Sequence, residues 1–239
     1  MTEVRMPITQ SELFNQRIKE QRADVGDRRL DVLIAGCGAP SLIHLGREDA
    51  RIVGVDEDLP RIRASMPGRT DLHSWALGDL RTVPVPPRSF DVVYVSFLLE
   101  RVRHPELVLD RLLAGLRPGG LALLRMRDRS SAYGVCQRLT PSLVRRMFWR
   151  HLVPAGTVGP LPVVYHPSVS REGLHAFCLT RGLMVSDEIL DSSGPAAARA
   201  LGRLACAAVE NVSSGRFPAT HDEIGMVIRK PHNHFARLV

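Results

Sequence analysis

The stretch that decides the fold reads LDVLIAGCG and spans residues 30–38. A run of strand length, apolar at nearly every position, ends there at a turn that contains Gly36 and Gly38. Consecutive apolar residues are typical of a parallel strand that is buried on both faces. Glycines after such a strand allow positive φ and let a ligand approach the backbone closely. The stretch therefore predicts the first strand of an α/β sheet, with a ligand site at the turn.

Further runs of the same kind follow along the chain. They lie at residues 50–55, 72–77, 90–95 and 121–126, and weaker ones lie at 184–190 and 225–228. Helical patterns separate them, and the strongest is 104–116, where leucines recur on one face before a Pro-Gly-Gly stop at 118–120. This alternation predicts an α/β fold with a doubly wound, mostly parallel seven-stranded sheet.

The parts of the chain are predicted to form one domain, residues 1–239. A cap helix at 8–22, with Ser11 as its N-cap, precedes a core at 30–127. A helical cap insertion follows at 134–170 and includes an arginine-rich helix at 142–151. The C-terminal part of the sheet occupies 171–230. It contains two helices, one that begins after the N-cap Ser170 and one at 195–212.

Composition excludes several classes of protein. The chain has 239 residues, 44% hydrophobic and 24% charged, which is the make-up of a folded globular protein. No apolar run approaches the ~20 residues of a membrane span, and the polar N-terminus predicts no targeting leader. The four cysteines form no CxxC pair, which argues against a disulfide framework or a metal site. A cytoplasmic protein is the expectation.

The net charge of +7 does not by itself predict a nucleic-acid partner, because the distribution of the basic residues argues against one. Of the 32 basic residues only Lys19 and Lys230 are lysines, and the arginines are dispersed among acids. A nucleic-acid surface would show a clustered basic stripe interleaved with aromatic residues, whereas only 5% of this chain is aromatic. Composition leaves a homodimer open.

Asp56 is the first candidate binding residue. It closes the second apolar run, twenty residues after Gly36. A carboxylate at this place in a parallel sheet can accept both hydroxyls of a ribose. The alternative is an ordinary solvated turn residue.

The order of four further motifs separates the nucleotide-binding families. The motifs are GDL at 78–80, SFDVV at 89–93, LLERV at 98–102 and LRPGG at 116–120. Together with the glycine turn they resemble the class I S-adenosylmethionine-dependent methyltransferases, in particular the small-molecule, methyltransferase type 11-like branch. The resemblance covers residues 30–127. It implies a Rossmann-like fold and a methyl transfer from S-adenosylmethionine to oxygen or nitrogen of a small-molecule acceptor.

The resemblance also implies roles for individual residues. The glycine loop at Gly36, Cys37 and Gly38 would wrap the methionine part of the cofactor. Asp56 would bind its ribose, and Glu57 would lie beside the adenine edge. The adenine amino group would meet Asp79 and Leu80, and Ser96 would lie beneath the sulfonium.

The chain departs from the family at three positions. Ile34 stands where an acid is frequent, and Pro40 where a third glycine is usual. These departures motivate the alternative of a methyltransferase-like fold without transfer activity, serving as a binding or scaffolding subunit or a cyclase-like protein. Arg101 stands where histidine is frequent, and we interpret it as a solvent-facing residue at a helix start.

Catalytic residues are harder to assign. Methyl transfer to oxygen or nitrogen often needs a general base, and the candidates are His151, Tyr165 and His166, with Tyr133 at the start of the insertion. For each of them a structural or surface role is the alternative. The arginines at 145–150 could receive an anionic group of the substrate, face solvent while the helix docks on the core, or touch an anionic membrane.

Overall fold

The computed structural model describes residues 9–39, 41–46, 48–141, 143–144, 161, 163–192 and 200–232. The described residues form seven strands: β1 (Leu30–Ala35), β2 (Ala50–Asp56), β3 (Ser74–Leu77), β4 (Phe90–Ser96), β5 (Leu116–Arg127), β6 (Met184–Asp191) and β7 (Glu223–Arg229). The strand order is β3-β2-β1-β4-β5-β7-β6, and β7 is antiparallel to both of its neighbours. The predicted mostly parallel, doubly wound sheet is confirmed.

Two predicted boundaries are wrong. The third strand begins at Ser74 and not at Leu72, which is buried in the core. The predicted turn at 117–120 lies inside β5 because that strand already pairs through Leu116 with Phe90, whereas Leu121 pairs with Val92. A bulge accommodates the extra residues, so the turn signal bends the strand without interrupting it.

Helices cover both faces of the sheet. They are α1 (Gln10–Val25), α2 (Pro60–Ser65), α3 (Pro105–Ala114), α4 (Ala132–Leu139), α5 (Arg171–Thr180) and α6 (Ala200–Val212), with a short 3₁₀ helix at Met66–Gly68. Ser170 caps α5 as predicted, accepting a hydrogen bond from the Gly173 N–H. The N-cap of α1 is Thr9 and not Ser11, because Thr9 and Glu12 form a reciprocal capping box.

Two hydrophobic clusters, one on each face, hold the sheet. One packs α3 and α5 on the sheet, and the other packs α1 and α2 on the opposite face. Phe14 of α1 meets Tyr94 of β4 edge-on, with ring centroids 6.0 Å apart. Every residue of β4 is buried, which explains why its sequence is mostly apolar, and the buried Asp91 is paired with Arg28 and Arg117.

The predicted cap insertion at 134–170 is described only in part. Helix α4 begins just before the insertion. At the C-terminal end of the insertion, the Val164 and Tyr165 N–H groups donate to the carbonyl of Glu100, which follows β4. His151 and most of the predicted 142–151 helix lie outside the described residues. Within the part of the chain that the structure describes, no helix is long and apolar enough to cross a membrane.

Candidate functional site

The glycine turn brings three strand ends together. Gly36 follows β1 with φ +88°, and its N–H donates to the Val55 carbonyl of β2 at 2.9 Å. A Cβ at Gly36 would lie 2.1 Å from the Ser96 carbonyl oxygen of β4. Only glycine satisfies both constraints. The carboxyl ends of β1, β2 and β4 therefore meet at this turn, where the strand order reverses.

Asp56 ends β2 as predicted, but its carboxylate is not presented to solvent. It is 1% exposed and receives three hydrogen bonds. The Gly38 N–H donates to Oδ2 at 2.8 Å, and the Glu57 N–H donates to Oδ1 at 2.8 Å. The third donor is Arg101, whose Nη2 lies 2.9 Å from Oδ1. Asp56 thus joins the glycine turn to a side chain that lies far along the sequence.

The interpretation of Arg101 as solvent-facing is wrong. Its side chain is 4% exposed, and Nη1 lies 3.3 Å from the Glu57 carboxylate. Its Nε donates to the Phe97 carbonyl at 2.7 Å. Two acids at the end of β2 attract the guanidinium inward, and its fork spans both of them. Helix α3 begins only at Pro105, so Arg101 belongs to the segment between β4 and α3.

A cleft of about 760 Å³ opens beside this pair. Its walls come from residues 57–59, 78–81 and 101–104, with Val108 and Val164. It therefore lies at the carboxyl ends of β2, β3 and β4, the edge where open parallel sheets bind ligands. Glu57, Asp79 and Leu80, predicted from the sequence, come together here.

Of the three acids that line the cleft, Glu57, Asp58 and Asp79, the first and the last differ in electrostatic environment. Burial raises the pKa of Glu57, and the attraction of Arg101 opposes that rise. Asp79 pairs with Arg81 at 2.6 Å, and this hydrogen bond lowers the pKa of Asp79 to about 2. Leu80 is 3% exposed and turns into the core beneath the cleft. At neutral pH the cleft thus offers a charged, half-exposed carboxylate at Asp79 above an apolar floor.

Cys37 is buried and does not line the cleft. Its side chain is fully buried, 4.0 Å from the Met66 sulfur, and burial raises the pKa of its thiol to about 12. A thiol in this state is not a nucleophile. The Cys37 and Ala39 carbonyls accept hydrogen bonds from Arg69. Arg69, which does not line the cleft, thus holds the loop in place.

The predicted Ser96 and the described catalytic candidates are all engaged. Ser96 is buried, and Tyr94 donates to its hydroxyl at 3.4 Å. Tyr165 is 3% exposed, and burial raises the pKa of its phenol well above the usual value. The Nδ1 of His166 lies 2.8 Å from the Ser168 hydroxyl within a turn. None of the catalytic candidates in the part of the chain that the structure describes lines the cleft.

A buried polar cluster next to β4 contains Tyr133, but its charged members were missed in the sequence analysis. Arg127 contacts the carboxylates of Glu223 at 2.6 Å and Asp222 at 3.0 Å, and its guanidinium lies 5.4 Å from the Tyr133 ring centroid. Glu100 is nearby and fully buried, and burial raises its pKa to about 7. Glu100, the acid before Arg101 in the LLERV motif, was the sequence signal that could have indicated this cluster. Among the described residues no group of His, Cys, Asp and Glu could hold a metal ion.

Comparison with known proteins adds independent findings. A family model described as a methyltransferase domain matches residues 10–183. The malonyl-[acyl-carrier protein] O-methyltransferase of Xylella fastidiosa (strain M23) is 31% identical over 117 residues, which are 45% of this chain and 39% of that protein. The matched segment thus spans about two fifths of that curated relative.

Solved structures share the fold at low identity. The N-methyltransferase NodS from Bradyrhizobium japonicum WM9 is 16% identical with a TM-score of 0.50, covering 93% of this chain and 97% of its own. The [4+2]-cyclase SpnF is 17% identical with a TM-score of 0.51, covering 91% of this chain and 82% of its own. At these identities the likeness shows the architecture alone.

Proposed function

Because the chain belongs to the class I S-adenosylmethionine-dependent methyltransferases, we propose that its cleft binds S-adenosylmethionine and that it methylates oxygen or nitrogen of a small-molecule acceptor. One observation carries the proposal. The cleft lies at the strand edge where this fold binds nucleosides, and it brings Glu57 and Asp79 to its walls. Its 760 Å³ falls within the roughly 300–1,000 Å³ of small-ligand pockets.

The residues present fit the nucleoside half of the cofactor. Glu57 can accept a ribose hydroxyl, since its side chain is 27% exposed at the cleft wall. Asp79 can accept the adenine amino group in place of a bond from the exposed Arg81 side chain, and Leu80 with Val108 offers apolar contact to the ring. At Oδ1, Asp56 can accept a second ribose hydroxyl only when Arg101 yields its place.

The chemistry divides between the cofactor and the chain. The sulfonium of S-adenosylmethionine carries a methyl group that is already activated for transfer. The chain's part is to hold the nucleoside, exclude water and align an acceptor atom with the methyl carbon. Tyr165 fits the role of a hydrogen-bond donor better than that of a base, because burial keeps its phenol protonated. His151 and His166 remain our candidates for the base.

The acceptor class is proposed from a curated relative. The Xylella relative is named an O-methyltransferase and shares 31% identity over 117 residues with this chain. This favours an oxygen acceptor, such as a carboxyl or hydroxyl group, over nitrogen. An assay with S-adenosylmethionine labelled in its methyl group and a panel of carboxylic acids, alcohols and amines would identify the class.

Cofactor binding is tested first, by calorimetry with Asp79→Ala. This variant should bind S-adenosylmethionine roughly three- to tenfold more weakly, because it loses one half-exposed charged hydrogen bond. Asp110→Ala is the matched control, since both carboxylates are 42% exposed and paired with an arginine. Asp110 lies in α3 and does not line the cleft. Equal affinity of the two variants would contradict the assignment of Asp79.

A second candidate function keeps the fold without the transfer. Ile34 offers no charge to the cofactor from β1, and Arg101 occupies the ribose-binding acid. A binding, scaffolding or cyclase-like role would show as a bound cofactor that no acceptor in the panel consumes, or as no heat at millimolar S-adenosylmethionine.

A further inference from the structure

Arg101 is the group in the cleft that the proposed function leaves unexplained. Its guanidinium bridges Asp56 and Glu57, and all three side chains lie at the end of β2. A cation that is 4% exposed within a ligand cleft is tied there by specific bonds. Because it bonds the same carboxylates that a ribose would use, it is placed to act on ligand binding.

We propose that Arg101 is an intramolecular competitor of the cofactor ribose and thereby sets the affinity for S-adenosylmethionine. This inference rests on the proposed function. Asp56 has its Oδ2 bonded to the Gly38 N–H and its Oδ1 to the Glu57 N–H. The remaining acceptor position on Oδ1 holds Arg101. A ribose hydroxyl that bonds Oδ1 must replace the guanidinium.

The displacement needs only a side-chain movement. The backbone around Arg101 is fixed, because Leu98 and Leu99 are fully buried and the Arg101 N–H donates to the Leu98 carbonyl at 3.0 Å. Its side chain borders the cleft, and Glu57 is partly open to solvent. Rotation of the guanidinium toward the cleft would break its bonds to Asp56 and to the Phe97 carbonyl, and it can keep the contact with Glu57.

Energetics determine the sign of the effect. The bond between Arg101 and Asp56 is buried and charge-assisted, so it is stronger than a neutral hydrogen bond. A ribose hydroxyl that replaces it forms a weaker bond, and the difference lowers the apparent affinity. Without Arg101 the cofactor would instead relieve the unpaired charge of Asp56, and binding would tighten. A purely structural Arg101 predicts the reverse, since its loss would disorder both acids.

The test measures the S-adenosylmethionine dissociation constant by calorimetry for the intact chain, Arg101→Gln and Arg101→Lys. We expect Arg101→Gln to bind roughly tenfold more tightly and Arg101→Lys to lie between, because lysine keeps the charge but not the fork. Without cofactor, the midpoint of thermal unfolding should be lower in Arg101→Gln than in the intact chain. Saturating cofactor should raise the midpoint by more in Arg101→Gln than in the intact chain.

Arg51→Gln is the matched control. Arg51 is an exposed arginine of β2 that does not line the cleft, so its loss removes the same charge without touching the proposed binding site. Its dissociation constant should change less than about twofold. Equal tightening in Arg51→Gln would reduce the effect to long-range charge and overturn the inference.

The remaining outcomes separate the two proposals. Wild-type binding with equal or weaker binding in the Arg101 variants would overturn the competitor role and leave the proposed function intact. If Arg101→Gln does not fold, the direction of change in Arg101→Lys decides. No heat with any variant would overturn the proposed function itself.

Discussion

Gly36 is the residue whose backbone conformation and surroundings permit the least change at the site. Its φ is +88°, and the Ser96 carbonyl occupies the place of a side chain. Its neighbour Gly38 is limited differently, since a Cβ there would lie 2.9 Å from Ile62 and 3.1 Å from the Asp56 carboxylate. The first glycine is thus required by the backbone and the second by the acid that it binds.

We predict that Gly36→Ala lowers the free energy of unfolding by at least about 2 kcal/mol, from strain at positive φ and overlap with β4. Gly68→Ala is the control, because a Cβ there meets no atom within 4 Å and its φ is not positive. Chemical denaturation measures both variants. A loss at Gly36 no larger than at Gly68 would show that β4 moves aside.

Glu100 makes the stability depend on pH. Its pKa rises from the ordinary 4.5 to about 7 because it is desolvated, and Glu223 adds repulsion while Arg101 and Arg127 oppose the rise. Tyr165 is also buried beside Glu100, and burial together with the charge of Glu100 raises the pKa of its phenol. Among the described residues, Oε2 of Glu100 has no hydrogen-bond partner. Between pH 4.5 and 7 the folded chain therefore keeps a proton that the unfolded chain has released.

Stability should consequently fall as pH rises through this window, by about 3 kcal/mol from this group alone. Glu100→Gln should remove that loss, so the difference in unfolding free energy between variant and wild type grows from pH 4.5 to 7.5. Urea denaturation at both pH values measures it. The exposed Glu106→Gln serves as control, and the same growth there would refute the assignment to Glu100.

At the scale of elements, helix α1 shows how a cap is chosen. Both Thr9 and Ser11 carry a hydroxyl near the helix start. The Glu12 N–H donates to the Thr9 hydroxyl at 3.2 Å, whereas Ser11 donates to the Leu42 carbonyl at 3.1 Å. The cap fixes the helix whose Leu13, Phe14 and Ile18 cover one face of the sheet.

Thr9→Ala should therefore destabilise the fold by about 1 kcal/mol, the usual cost of a lost N-cap. Thr9→Ser keeps the hydroxyl and should stay near the wild type. Thermal unfolding followed by far-ultraviolet circular dichroism compares the two. Similar midpoints for the alanine and serine variants would indicate that packing alone holds α1.

Most elements were predictable because their signals are local. Apolar runs of strand length gave β1, β2 and β4, and periodic leucines before a stop signal gave α3. Boundaries failed where a contact from elsewhere decided them, as at Ser74 and in the bulge of β5. Hydrogen bonding between distant segments leaves no periodicity in the sequence.

At the scale of the whole molecule, cofactor binding and folding are linked. A ligand that binds only the folded chain stabilises it by about 2.7 kcal/mol at one hundred times its dissociation constant. For a chain of 239 residues this corresponds to a rise in the unfolding midpoint of roughly 5–11 °C.

S-adenosylhomocysteine, which keeps the nucleoside, should produce this rise in calorimetric thermal unfolding. Methionine at the same concentration should not, because the cleft at Glu57 and Asp79 is assigned to the nucleoside half. A rise with methionine alone would place the main contacts elsewhere.

The sequence by itself determined the doubly wound sheet, the glycine turn and the presence of Asp56, Glu57 and Asp79 at strand ends. These follow from short-range patterns, because the period of an apolar run and the freedom of glycine are local properties. Only the tertiary structure decided that Arg101 lies on Asp56 and that Glu100 is buried. Ion pairing and desolvation depend on which segments meet in space, and here residues 45 positions apart share one carboxylate.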